Sequence, residues 1–253
     1  MSMELVVLGS GGFALGTGRE VRHPAGYAVR IGADLVLLDL GFGDLRQLAR
    51  AGLDPARVRD VFFTHLHPDH VGDLAALLFF LRYERRPASG TLRLFGPPGF
   101  KGFLARLMAA HRPWVAAKGY RLQVVELKGG DRVRGRSWAL SCLRVPHSAP
   151  SLAYRMTDGR RSLVYSGDTG FDPGLAVFAA GCDLLVLECS AADGQARPGT
   201  HLTVSEALSL ARLSNCRKTV FSHLGEGSAA ALRRLRGLPE RFVLAQDLAR
   251  FRM

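Results

Sequence analysis

The chain has 253 residues, 47% of them hydrophobic, which is long enough to bury a full core. No apolar run reaches the eighteen or so residues of a membrane span, and no basic segment precedes Leu5-Val6-Val7-Leu8, so neither a transmembrane helix nor a signal peptide is expected and the protein reads as cytoplasmic. The net charge of +12, mostly arginine, favours anionic, phosphate-bearing partners, although scattered arginines in an alanine-rich chain are also ordinary solvated faces.

In chain order, residues 4–8 read as a strand running into Gly9-Ser10-Gly11-Gly12 and then Gly16-Thr17-Gly18. This spacing is not G-x-G-x-x-G opening a helix; the glycines instead let the backbone pass close to a site. Residues 27–31 and 35–39 read as a hairpin across Gly32-Ala33. Leu45, Leu48 and Ala49 have helical spacing stopped by Gly52, and residues 58–64 form a strand. An apolar helix over 74–83 ends in Arg82, Arg85 and Arg86, where positive charge suits the helix dipole. A strand at 92–95 and a helix around Phe103, Leu104 and Leu107 follow. Strands 122–127 and 138–145 are separated by the turn Lys128-Gly129-Gly130-Asp131, and strands 153–156 and 162–165 flank Asp158-Gly159, a hairpin signal. The remainder reads as a strand at 184–187, a loop at 191–199 and a helix at 204–213 opened by the capping box Thr203-x-x-Glu206. After it come a strand at 219–221, a helix at 229–235 and a strand at 242–244. Hairpins early and strand–helix alternation late predict an α+β fold of two mixed sheets covered by helices, in one domain over 1–253.

The run Thr64-His65-Leu66-His67-Pro68-Asp69-His70 packs three histidines and an aspartate into six positions straight after an apolar strand. A helix would put His65 and His67 on different faces, and Pro68 disfavours helix at His67. The run therefore reads as a strand end opening into a loop, with a helix starting near His70. Imidazole and carboxylate together suit zinc and neighbouring divalent metals. A pattern recurs along the chain: His65, His147, Asp168, Glu188 and His223 each lie just past the end of an apolar strand. Side chains at strand ends can converge at one sheet edge and be held there rigidly. None of Cys142, Cys182, Cys189 and Cys216 forms C-x-x-C, so reduced, mostly buried thiols are expected. Asp39 and Asp73 are candidates to orient a metal-bound imidazole. His23 and His111 read as surface residues, and Trp114 and Trp138 as core.

The H-x-H-x-D-H run resembles the signature of the metallo-β-lactamase superfamily, and the likeness extends along nearly the whole chain. The resemblance implies a four-layer αββα sandwich with a metal site at one edge. By position it assigns His65, His67 and His147 to one metal, Asp69, His70 and His223 to a second, and Asp168 to a bridge between them. The metals would be zinc, or alternatively manganese or iron. Glu188-Cys189-Ser190 and Gly199-Thr200-His201-Leu202-Thr203 resemble the glutamate and histidine segments of the tRNase Z group. Ser222-His223-Leu224, His147-Ser148-x-x-Ser151-x-x-Tyr154-Arg155 and Gly9-Ser10-Gly11-Gly12 resemble three further segments of that group. On that likeness Asp69, Glu188 and His201 form the catalytic set, His201 being the acid and Glu188 its partner.

One departure stands out. An arm that grips tRNA commonly lies between the third histidine and the bridging aspartate, and here a short hairpin fills that interval. The chain in this respect resembles small phosphodiesterases of the superfamily. The expected function is a dinuclear metal-dependent hydrolase, a phosphodiesterase with a metal-bridging hydroxide nucleophile. The alternatives are a tRNA 3′-processing endonuclease of the ribonuclease Z type, a thioester or lactone hydrolase, and a non-catalytic metal-dependent binding protein. The expected partner is a phosphodiester substrate, small molecule or RNA, with no membrane and with a homodimer as the oligomeric expectation.

Overall fold

The structure is a computed structural model that describes residues 2–12, 21–195 and 199–253. The first part of the chain comprises β1 (Met3–Gly9), β2 (Gly26–Ile31), β3 (Asp34–Leu40), α1 (Asp44–Arg50), β4 (Val58–Phe62), α2 (Pro68–Val71), α3 (Leu74–Tyr83), β5 (Thr91–Gly96), α4 (Phe100–Ala110) and β6 (Arg121–Glu126). Next come β7 (Arg132–Arg134), β8 (Ala139–Val145), β9 (Ser151–Thr157), β10 (Ser162–Tyr165), α5 (Pro173–Ala179) and β11 (Leu184–Glu188). The chain finishes with α6 (Val204–Ser214), β12 (Lys218–Ser222), α7 (Glu226–Arg234), β13 (Phe242–Leu244) and β14 (Arg250–Arg252). Two seven-stranded sheets result, in the orders β14-β1-β2-β3-β4-β5-β6 and β13-β12-β11-β10-β9-β8-β7.

The central strands of both sheets are apolar on both faces, because each sheet is covered on both sides there. Alternate residues Leu5, Val7, Tyr27, Val29, Val36, Leu38 and Phe62 point inward and meet Leu140, Tyr154, Met156, Leu163 and Val186 of the second sheet. The other faces of the first sheet, with Val6, Leu8, Ala28, Leu37 and Val61, pack on Leu74, Leu77, Leu78 and Leu81 of α3 and Phe100 and Leu104 of α4. Val164, Leu185 and Leu187 of the second sheet pack on Leu175 and Ala179 of α5 and on Ala207, Leu208 and Ala211 of α6. Three apolar interfaces between four layers make the αββα sandwich. Phe62 sits at its middle, stacked 4.3 Å from Phe95 and edge-on to Trp138 and Tyr154. Phe62→Ala is expected to cost about 3–5 kcal/mol in chemical denaturation; a cost under about 1 kcal/mol would mean that the two sheets close over the gap.

The 2–3 hairpin, the 9–10 hairpin and the Thr203–Glu206 capping box form as the sequence predicts. All four cysteines are buried and free of disulfides. Several readings need correction. The predicted turn Lys128-Gly129-Gly130-Asp131 does not lead straight from residues 121–126 to residues 139–145: these strands lie in different sheets, and β7, absent from the sequence reading, stands between them. β7 and β14 are three-residue edge strands too short to show a pattern. β4 ends at Phe62, two residues before the predicted end, while α2 begins at Pro68 and α7 at Glu226, both earlier than predicted. Trp138 is core at 4% exposure, but Trp114 is 55% exposed, beside Tyr83. The predicted Gly16-Thr17-Gly18 segment and residues 196–198 of the predicted loop lie outside the described residues. No helix among the described residues is long and apolar enough to cross a membrane.

Candidate metal centre

β8, β10, β11 and β12 run in the same direction, so their carboxy-terminal ends share one edge of the second sheet. His147 follows β8, Asp168 follows β10, Glu188 is the last residue of β11 and His223 follows β12. Across from them, the loop after β4 carries His65 and His67, and α2 carries Asp69 and His70. Proline at the first position of α2 starts that helix directly after His67. All seven predicted ligands meet at this edge.

They form two adjoining groups. His65, His67, His147 and Asp168 place one donor atom each within 4.8 Å of one another, and so do Asp69, His70 and His223. Asp168 stands between the groups with its two oxygens divided. Its Oδ2 lies 3.7 Å from His65 Nε2 and 3.7 Å from His147 Nε2. Its Oδ1 lies 3.3 Å from His70 Nε2 and 3.4 Å from His223 Nε2. Asp69 Oδ2 approaches His223 Nε2 at 3.5 Å and His70 Nε2 at 3.8 Å.

These separations test whether the residues suit a cation. His147 Nε2 and His67 Nδ1 are 3.3 Å apart, and His70 Nε2 and His223 Nε2 are 3.4 Å apart. Donors about 2.0–2.1 Å from a tetrahedral ion are about 3.3–3.4 Å from each other. His65 Nε2 and Asp168 Oδ1 are buried without a hydrogen-bond partner, an arrangement that costs free energy unless a cation satisfies them. The donor set of imidazole and carboxylate fits a divalent ion, and Asp168 is placed to be shared by two.

Charge follows the same division. Burial disfavours the imidazolium of His70 and His223, but Asp168 outweighs it, helped by Asp39 at His70 and by Asp69 at His223, so both pKa values are raised. At His65, His67 and His147 burial wins and the imidazoles are held neutral, the form that binds metal. The carboxyl of Asp168, although buried, is pushed well below its ordinary value by His223, His70 and His65.

The far nitrogens of the imidazoles are anchored. His70 Nδ1 donates to Asp39 Oδ2 at 2.8 Å, and His147 Nδ1 donates to the Thr200 carbonyl at 2.5 Å. His65 Nδ1 meets Thr64 Oγ1 at 3.0 Å, and that hydroxyl donates to Asp39 Oδ2. Tyr165 donates a further hydrogen bond to Asp39. Of the two aspartates the sequence offers for this role, Asp39 fills it; Asp73 instead accepts from the Leu45 amide at the start of α1. Asp39 and His223 both adopt left-handed backbone, φ 55° and φ 52°, an uncommon state for residues with side chains that is held here by the surrounding packing. Asp39→Asn is expected to weaken metal binding about 10–100-fold, measured by competitive chelator titration, because the His70 ring loses its anionic acceptor. An unchanged affinity would mean that Asp39 acts on the fold alone.

Beside the two groups, His201 Nδ1 donates to Glu188 Oε1 at 3.0 Å. The same carboxylate accepts from the Thr169, Ser190 and Leu202 amides, so Glu188 is fixed by four donors and pairs with no arginine among the described residues. His201 does not cap α6, since Thr203 does. Burial opposes the His201 imidazolium, but the hydrogen bond and charge of Glu188, with Asp168, raise its pKa. Burial raises the Glu188 carboxyl in turn, against the pull of His201. The ring lies 4.8 Å from His147 and 5.6 Å from His223, at the mouth of the site with 29% of its side chain exposed. His23, read as an ordinary surface residue, is half-exposed and pairs with Asp247 at 2.9 Å.

A four-layer αββα sandwich with adjoining His and Asp groups at one sheet edge defines the metallo-β-lactamase class of proteins. The chain belongs to the metallo-β-lactamase superfamily: residues 35–224 match the family described as Beta-lactamase superfamily domain. A ribonuclease Z from Myxococcus xanthus is 30% identical over 256 residues, covering 80% of this chain and 81% of that protein. Among solved structures, the metallo-beta-lactamase fold protein YhfI from Bacillus subtilis superposes with a TM-score of 0.83 at 22% identity, over 100% of this chain and 99% of its own. A diphosphatase from the PhnP family superposes with a TM-score of 0.78 at 20% identity, over 98% and 97% of the two chains.

Proposed function

We propose that this metal-dependent hydrolase cleaves phosphodiesters at a dinuclear centre. There, His65, His67 and His147 would hold one ion and Asp69, His70 and His223 the other, with Asp168 available to both. The observation that carries this reading is the division of the Asp168 oxygens between the two groups of imidazoles. Two bound divalent ions supply Lewis acidity, which activates water for attack and offsets charge on the phosphoryl oxygens. Zinc is the ion proposed, because a donor set of three imidazoles in one group and two imidazoles with a carboxylate in the other suits it, and the nitrogen separations fit bonds of its length.

The chain's own residues supply the rest. Asp168 and Asp69 would supply the carboxylate charge that offsets that of the bound ions. With Nδ1 committed to Glu188, His201 presents Nε2 as the nitrogen that gives a proton to the departing alkoxide. Glu188 holds the ring's orientation and favours its charged form. The pair supports phosphodiester chemistry over a thioester, whose thiolate departs with less demand on an acid.

A second reading, a ribonuclease Z-type endonuclease, is favoured by the likeness to ribonucleases Z and by the basic charge. Against it stands the interval between His147 and Asp168, which β9 and β10 occupy with no arm. A cytoplasmic location and a homodimer, checked by light scattering, complete the proposal. The test compares rates of metal-loaded protein on activated phosphodiesters, a cyclic nucleotide, precursor tRNA and a thioester. Preference for small phosphodiesters supports the first reading. Precursor-tRNA cleavage with a steep salt dependence replaces it with the second. Preference for the thioester overturns both.

A further inference from the structure

Four guanidinium groups share an open cleft at the other end of the strands from the metal centre. Arg59, Arg93, Arg134 and Arg136, with Gly135, line a cavity of about 450 Å³. Arg59 lies near the start of β4, and His65 follows its other end, so the length of the strand, about 3.3 Å per residue, stands between them. Arg134 and Arg136 precede β8, whose far end leads to His147. The cleft is therefore a separate feature.

Local structure builds this cleft deliberately. Asp60 and Arg93 face each other across β4 and β5, and Arg93 Nε donates to the buried Asp60 carboxylate. The Arg93 guanidinium lies over the Phe95 and Trp138 rings, 5.3 and 5.7 Å from their centroids, which fixes its position. The turn from β7 to β8 passes tightly over the same indole: a Cβ on Gly135 would come within 2.1 Å of the Trp138 ring. Only glycine permits that approach, and it carries Arg134 and Arg136 to the cleft rim. Among the described residues, Asp60 is the carboxylate that pairs with a cleft arginine, and nearby Asp34 is engaged by Ser137. Four guanidiniums against the carboxylates of Asp60 and the neighbouring Asp34 leave the cleft with a net positive charge.

We propose that this cleft binds a small anion carrying two or more phosphate groups, a polyphosphate or nucleoside polyphosphate, at a site distinct from the metal centre. Guanidinium forks match phosphate oxygens two at a time, and the volume falls within the roughly 300–1,000 Å³ of small-molecule sites. Because the two sites are far apart, this anion and a phosphodiester substrate can be bound together.

The test is calorimetric titration of inorganic triphosphate into the metal-loaded full chain at about 0.15 M ionic strength, which screens diffuse surface charge. Arg134→Ala with Arg136→Ala, both on the exposed rim, is expected to weaken one triphosphate site by at least about tenfold. Asp168→Ala and a charge-matched control, Arg160→Ala with Arg212→Ala, are expected to keep that site. Three results would overturn the proposal: binding lost in Asp168→Ala but kept in the cleft variant, equal weakening in the control, or cleft-dependent binding of a short RNA with none of triphosphate. The outcome does not depend on whether the metal centre hydrolyses phosphodiesters.

Discussion

Asp168→Ala is expected to lower turnover of an activated phosphodiester by about 10³-fold or more, with loss of at least one metal ion per chain. Two divalent cations held side by side would repel each other strongly. Neutral imidazoles do nothing to offset that repulsion, and Asp168 is the carboxylate in contact with both groups of nitrogens. The isosteric Asp168→Asn separates charge from shape: it fills the same space and is expected to lose as much. Retention of metal and rate in Asp168→Asn would show that the carboxylate is not shared.

His201→Ala is expected to have an effect that depends on the leaving group. On an unactivated alkyl phosphodiester the loss is about 10²–10⁴-fold, the usual contribution of a positioned acid. On a nitrophenyl ester, whose leaving group departs without a proton, the loss is expected to be under about tenfold. A uniform loss on both substrates would instead make His201 a binding or structural residue. The pH profile gives the sign. The raised pKa of His201 means that its imidazolium, and the activity that needs it, is present below that pKa and is lost as pH rises through it. Glu188→Gln removes the charge that favours the imidazolium, so the falling limb of the profile is expected to move to lower pH.

Much of this centre was legible in the sequence because its ligands terminate apolar strands, and runs such as residues 184–187 show where a strand must stop. Spacing within His65–His70 was informative because those residues are local to one loop. What the sequence did not carry were the non-local choices. Whether residues 121–126 and 139–145 pair or cross between sheets depends on which face each must cover, and both read as apolar strands around a glycine turn. The left-handed backbone of Asp39 and His223 follows from packing around the site and leaves no glycine signal. The anchoring of His147 by the Thr200 carbonyl uses a backbone atom that any residue offers. Trp114 was misread because a single apolar residue outside a periodic run carries no burial information. The arginine cleft was invisible for the same reason as the hidden pairings: positions 59, 93, 134 and 136 come together only through the order of the strands.

The central claim, two ions sharing Asp168, is tested most directly by metal analysis of the purified chain beside Asp168→Asn. About two transition-metal ions per wild-type chain and about one or fewer in the variant are expected. A wild-type chain that takes up less than about one equivalent, or a variant that keeps both ions, would contradict it.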